Sequence, residues 1–135
     1  MPQNIDKVAW IYILNRKLLG ARTKGKIPFY VPGGKREVGE TDLETLVREI
    51  NEELSIEIDA SSANFVGEFQ AQAHGKEDGV MVVMQCYEAD FKGEITPTSE
   101  IEEIGWLTSA DITSDRCSDV DKVILKHLFG AGLID

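Results

Sequence analysis

Residues 34–56 read GKREVGETDLETLVREINEELSI, and the helix inside this stretch decides how the rest of the chain is read. Leu43, Leu46, Val47, Ile50 and Leu54 recur at spacings of three and four, the period of one apolar helical face. Glu49, Glu52 and Glu53 follow Arg48 directly and stand at i, i+3 and i+4, so their carboxylates project from the opposite side of the same helix. Stacked like charges repel, and a cation relieves that repulsion. Clustered carboxylate oxygens suit hard Mg²⁺ or Mn²⁺ far better than zinc. Thr41 with Glu44 three residues on is a capping-box pattern, which predicts a helix start near Thr41. Just upstream, Pro32, Gly33 and Gly34 predict a bend whose backbone can approach a ligand or metal closely, since glycine has no Cβ.

Outward from this helix the chain reads as strands. The apolar, β-rich run 8–14 and the run 17–22 flank Asn15-Arg16 and predict a hairpin. Residues 27–31 predict a short strand feeding the Pro-Gly-Gly bend. Runs 65–73 and 80–90 predict two more strands around the turn-prone segment 74–79, and 104–107 a further short one. Residues 108–112 suggest a helical turn. Val120, Val123, Ile124 and Leu128 give 119–129 the spacing of a final amphipathic helix, closed by Gly130. The mixture is α+β.

The 135 residues suit one domain spanning 1–135 with a sizeable core. A net charge of −10, from 14 basic and 24 acidic residues, argues against a protein that holds duplex nucleic acid by neutralising phosphates. A polyanionic partner should therefore be small and arrive with metal. Cys86 and Cys117 form no CxxC and read as free thiols. The start MPQNIDK lacks a basic segment followed by an apolar run, and no stretch approaches the roughly 20 apolar residues of a membrane span. A cytoplasmic location without membrane association is the expectation.

The quoted segment resembles the signature box of the Nudix hydrolases: Gly34, Glu40, Arg48, Glu49, Ile50, Glu52, Glu53 and Ile56 all stand in register with it. One position departs, Ser55 in place of the late glycine. Glycine there commonly serves the left-handed turn that ends the helix, where another residue costs roughly 1–2 kcal/mol. The box covers about a sixth of the chain, yet eight positions at fixed spacing are far more specific than a lone glycine motif. The resemblance implies an α/β/α sandwich around a mixed sheet, with the carboxylate helix on one face and a C-terminal helix. It implies water attack on a diphosphate linkage with Mg²⁺ or Mn²⁺ bound by Glu49, Glu52 and Glu53, and with the Gly33 carbonyl as a further oxygen donor. Which carboxylate acts as base differs among such enzymes. Arg48 is expected to orient the carboxylates, with Glu40 and Gly34 supporting. Many relatives add an acid a few residues before a tryptophan-bearing strand, and Glu100, ahead of Trp106, has that spacing, with Glu103 second. The competing reading makes these acids a solvated turn.

Candidates for substrate contact are Arg22 and Lys35 for phosphates and Phe29 and Tyr30 for a base, since the last two alternate across a strand. Asp119 is open between base contact and helix N-cap. His74 lies in a polar loop, Trp10 and Trp106 are assigned to packing, and His127 to no function. Within the resemblance, region 66–73 lacks the proline of ADP-ribose hydrolases and the tyrosine of dinucleoside polyphosphate enzymes. That leaves a compact MutT-like enzyme on nucleoside triphosphates, oxidised ones included, giving monophosphate and pyrophosphate. A non-nucleotide diphosphate substrate, isomerase chemistry and a non-catalytic nucleotide sensor stay open as alternatives, and paired domains in the family make a homodimer an expectation.

Overall fold

The computed structural model describes residues 4–73 and 79–135. In chain order the elements are β1 (Ile5–Trp10), β2 (Ile13–Leu14), β3 (Lys17–Thr23), β4 (Gly33–Lys35), α1 (Asp42–Leu54), β5 (Glu57–Ile58), β6 (Asn64–Gln72), β7 (Met81–Glu88), β8 (Phe91–Lys92), β9 (Ile101–Leu107) and α2 (Asp119–Gly130). Short 3₁₀ turns lie at Ala60–Ser62 and Ser109–Thr113.

The apolar run 8–14 is divided between two sheets. Its first part, β1, lies between β4 and β7 in a four-stranded sheet of order β4-β1-β7-β6, antiparallel to β4 and parallel to β7. After Trp10 the chain leaves that sheet, and β2 pairs with β3 in a second sheet of order β2-β3-β9. The expected hairpin is thus β2-β3 alone. Its tip, Asn15 and Arg16, has φ of 52° and 62°, the sense of turn whose twist matches paired strands.

Residues 27–31 form no strand. Phe29 and Tyr30 make only single bridges, to Cys117 and Ala21. The glycines expected to bend instead extend as β4, with Gly33 opposite Ala9 and Gly34 opposite Val8. A Cβ on Gly33 would overlap the Val8 carbonyl oxygen, so only glycine lets these two backbones come together.

Two cores lie on the two sides of the main sheet. On one, Leu46, Ile50 and Leu54 of α1, all fully buried, pack with Val8, Trp10 and Leu19. On the other, Val120, Ile124, Leu125 and Leu128 of α2 pack with Ala9, Phe69, Met84 and Cys86. Alternation along β1 sends Val8 and Trp10 to one face and Ala9 to the other, which makes the sandwich α/β/α. Cys86 and Cys117 are buried free thiols, with no disulfide between them.

Helix ends follow side-chain chemistry. The capping box at Thr41 and Glu44 is present as expected. Ser55 takes the left-handed position at the other end, φ 57° and ψ 30°. Gly130 does not close α2; it is the last helical residue, and Gly132, at φ 76°, takes the left-handed turn. There the Gly132 N–H donates to Phe129 O and the Leu133 N–H to Leu128 O, the paired bonds of a Schellman ending. No described helix is long and apolar enough to cross a membrane.

Candidate active site

A cleft of about 620 Å³ opens where α1, the β1-β4 edge, the turn before β9 and the start of α2 meet. Glu49, Glu52, Glu53 and Glu100 line it, as do Gly33, Lys35, Tyr30 and Asp119. Sequence positions spread from 30 to 119 converge on one space of a size that suits a nucleotide.

Glu49 and Glu53 form the deep part of the carboxylate ridge. The Glu49 side chain is only 17% exposed, against 55% for Glu52. Gly34 explains how Glu49 comes so close: a Cβ there would run into its carboxyl group. The Gly33 N–H donates to the Glu53 carboxylate, and Glu49 lies within hydrogen-bond reach of Glu53. Burial, with the adjacent Glu49 charge second, pushes the Glu53 carboxyl up to about 8.

Arg48 ties this ridge to the loop before the helix. Its Nε and Nη2 donate to the two Glu40 oxygens, each at 2.8 Å, while Nη1 donates to Glu49 Oε1 at 2.9 Å and Nη2 to Lys35 O at 3.2 Å. Glu40 also accepts from the Thr45 hydroxyl and the Glu37 N–H. These bonds, led by that from Arg48, pull the Glu40 carboxyl down to about 2. A bidentate guanidinium with further donors around its carboxylate makes a rigid bracket.

Other candidates lie elsewhere. Arg22 does not face the cleft: its guanidinium is held by Glu102 at 2.6 Å and Glu103 at 2.8 Å and donates to Lys26 O. That pairing also takes up Glu103, which leaves Glu100, on the exposed turn before β9, as the acid facing the cleft. Phe29 packs away from the cleft against Gly105 and Gly20, with the Arg116 guanidinium 5.4 Å from its ring centre. Of the aromatic pair, Tyr30 is the cleft residue. Asp119 is not the N-cap of α2; Ser118 is, and Asp119 is the first helical residue, exposed at the cleft wall. Trp10 and Trp106 pack in an aromatic group with Tyr12 and Phe91. His74 lies outside the described residues.

Two cleft features went unread in the sequence. Lys7, on β1, lines the floor. Asp121, in α2, is fully buried behind the cleft and accepts from Val31 N, Ser118 N and Ser118 Oγ; burial pushes its carboxyl up to about 6. A lone acid after a cap serine carries a capping-box signal, and an alternating strand lysine facing a core carries a polarity break. Both cues were available.

Among the described residues, no three acidic, histidine or cysteine side chains stand grouped for a metal as they are placed. Glu49 is turned to Arg48, and Glu53 to Gly33. The donor set nevertheless fits a hard divalent ion: Glu49, Glu52, Glu53 and Glu100 offer carboxylate oxygens to the cleft and Gly33 a carbonyl oxygen beside them.

The fold is an α/β/α sandwich, and its cleft is lined by the carboxylates of one helix. The NUDIX domain model matches residues 5–128, and the chain belongs to the Nudix hydrolase family. Solved structures with the same fold include the E. coli ORF135 protein, at 24% identity over 99% of this chain and 96% of that one with a TM-score of 0.74. The MutT Nudix hydrolase from Burkholderia pseudomallei is similar at 22% identity, 92% and 97% coverage and TM-score 0.74. The MutT protein from Methanosarcina mazei Go1 is similar at 15% identity, 97% and 96% coverage and TM-score 0.75. No curated protein sequence matches the chain.

Proposed function

We propose that this chain is a single-domain, metal-dependent hydrolase that cuts the diphosphate linkage of a nucleoside triphosphate, releasing a monophosphate and pyrophosphate. The observation that carries this reading is the convergence of Glu49, Glu52, Glu53 and Glu100 on one cleft that also holds Lys35 and Tyr30. Glu49, Glu52 and Glu53, with Glu100 from the opposite wall, would hold Mg²⁺ or Mn²⁺. When bound, such an ion supplies charge neutralisation at phosphate oxygens and acidifies water.

The chain's own residues do the rest. Arg48, braced by Glu40, fixes the direction of the Glu49 carboxylate. Glu53, the deepest acid of the ridge, is suited to hold or take up a proton at its carboxyl oxygens, because burial raises its proton affinity. Lys35 offers donors to phosphate oxygens from the facing strand. Tyr30 offers an aromatic surface to a base on the same wall as Asp119.

The test is release of pyrophosphate from a panel of ordinary and oxidised nucleoside triphosphates with Mg²⁺, alongside ADP-ribose, dinucleoside polyphosphates and an isoprenoid diphosphate. Turnover of triphosphates is expected, abolished by chelation. Retained metal binding with no turnover of any nucleotide would sink the proposal.

A further inference from the structure

Lys7 holds none of the roles assigned above, although it lies on the cleft floor. Its partner across the β1-β4 pair is Lys35, and across the β1-β7 pair Met84. Residues paired in this way send their side chains to the same face of a sheet, and all three line the cleft. The ammonium groups of Lys7 and Lys35 are therefore neighbours, and the second lowers the proton affinity of the first. Burial lowers it further and is the larger cause.

Among the described residues neither ammonium makes a hydrogen bond or an ion pair. Asp121, Glu53 and Glu49 act on Lys7 only as more distant charges, and the Tyr30 ring centre is 6.0 Å away. The contrast with the arginines is complete. Arg16, Arg22, Arg36, Arg48 and Arg116 all lie against carboxylates. Lys7 is half-buried and Lys35 exposed, so the cost of an ammonium without a partner falls on Lys7, and each of the two can only donate. An anion with several oxygens satisfies both at once.

We propose that Lys7 is a substrate-binding residue which, with Lys35, clamps the phosphate oxygens that face away from the acidic helix. This assignment rests on the reading that the cleft receives a diphosphate chain. It gives that chain two unlike walls, carboxylates for cations on one side and ammonium donors on the other.

The test compares the full-length protein with Lys7→Met and Lys7→Arg by calorimetric binding of pyrophosphate in the presence of Mg²⁺, by KM for triphosphates of adenine, guanine and cytosine, and by thermal midpoint. Lys7→Met is expected to weaken pyrophosphate binding by about 10–100-fold, the loss of one charge-assisted hydrogen bond. KM should rise by a similar factor for all three bases, Lys7→Arg should keep most of the affinity, and the midpoint of Lys7→Met should be equal or higher. A folded Lys7→Met with wild-type pyrophosphate affinity would overturn the assignment, and so would a KM increase confined to one base, which would make Lys7 a base contact. Lysine-dependent pyrophosphate binding without nucleotide turnover would support the clamp while defeating the nucleotide reading. A wild-type protein that binds no pyrophosphate would defeat both.

Discussion

Glu53 sits at the junction of three influences: burial, the Glu49 charge and the Gly33 N–H. Replacing it with Gln keeps the shape and removes one ligand charge and one proton-accepting oxygen. Turnover in Glu53→Gln should fall by orders of magnitude. Its thermal midpoint without metal should match or exceed that of wild type, because the crowded acid pair is relieved; wild-type activity in a folded variant would contradict the assignment. Glu40 makes the opposite case. Its carboxyl is held at about 2, below the ordinary 4.5, so its contribution to stability is present above about pH 4.5 and is lost as pH falls towards 2. Thermal midpoints of wild type and Glu40→Gln measured from pH 7 to pH 2 should differ most at neutral pH and converge at the acid end. The acidic trio and Arg48 were legible because a helix converts spacing directly into a shared face. Arg22 and Phe29 were not, since which face of a strand or loop meets a cleft depends on partners far away in sequence.

At the scale of elements, α1 carries its own start signal and its own burial pattern, and both appear in the fold as the local sequence suggests. Its end carries a cost. Ser55 holds a left-handed conformation that glycine adopts freely, so Ser55→Gly is expected to raise the thermal midpoint by a few degrees with activity unchanged, as a melting curve and a rate would show. A lower midpoint would mean that the serine is held by a contact worth more than the strain. The run 8–14 shows where local reading stops. Nothing in its composition marks Trp10 as the last residue of one sheet and Ile13 as the first of another; the N–H groups of Trp10 and Ile11 still bond to Pro32 O and Tyr87 O on the first sheet's side, while the Tyr12 carbonyl already takes the Leu19 N–H of β3. Residues 27–31 have strand composition but no continuous neighbour to pair with, and β5 and β8, two residues each, are too short to leave a periodic signal.

Across the whole molecule the chain end is fastened to the first hairpin. Arg16 donates to Asp135, to Gly132 O and to Ile134 O, and the Asp135 N–H returns a bond to Arg16 O. The clasp keeps Ile134, 1% exposed, in the core with α2. Deleting residues 133–135 should lower stability by about 2–4 kcal/mol, the cost of removing a buried aliphatic side chain, with a clear drop in urea midpoint; an unchanged midpoint would show that Ile134 contributes nothing to the core. The α/β/α arrangement itself was readable from the order of apolar patterns together with the box. The strand order was not, because it is a property of pairings between segments up to about 90 residues apart, such as β3 with β9, where Leu18 pairs with Leu107.

The bare α-carbon of Gly34 beneath Glu49 carries an implication for how this cleft can vary over time. Main chain alone lies under that acid, so any side chain added at position 34 would press on its carboxyl group. One methyl group at position 34 would make the acid move aside with the full complement of ionisable groups intact, a change invisible to any inventory of charges.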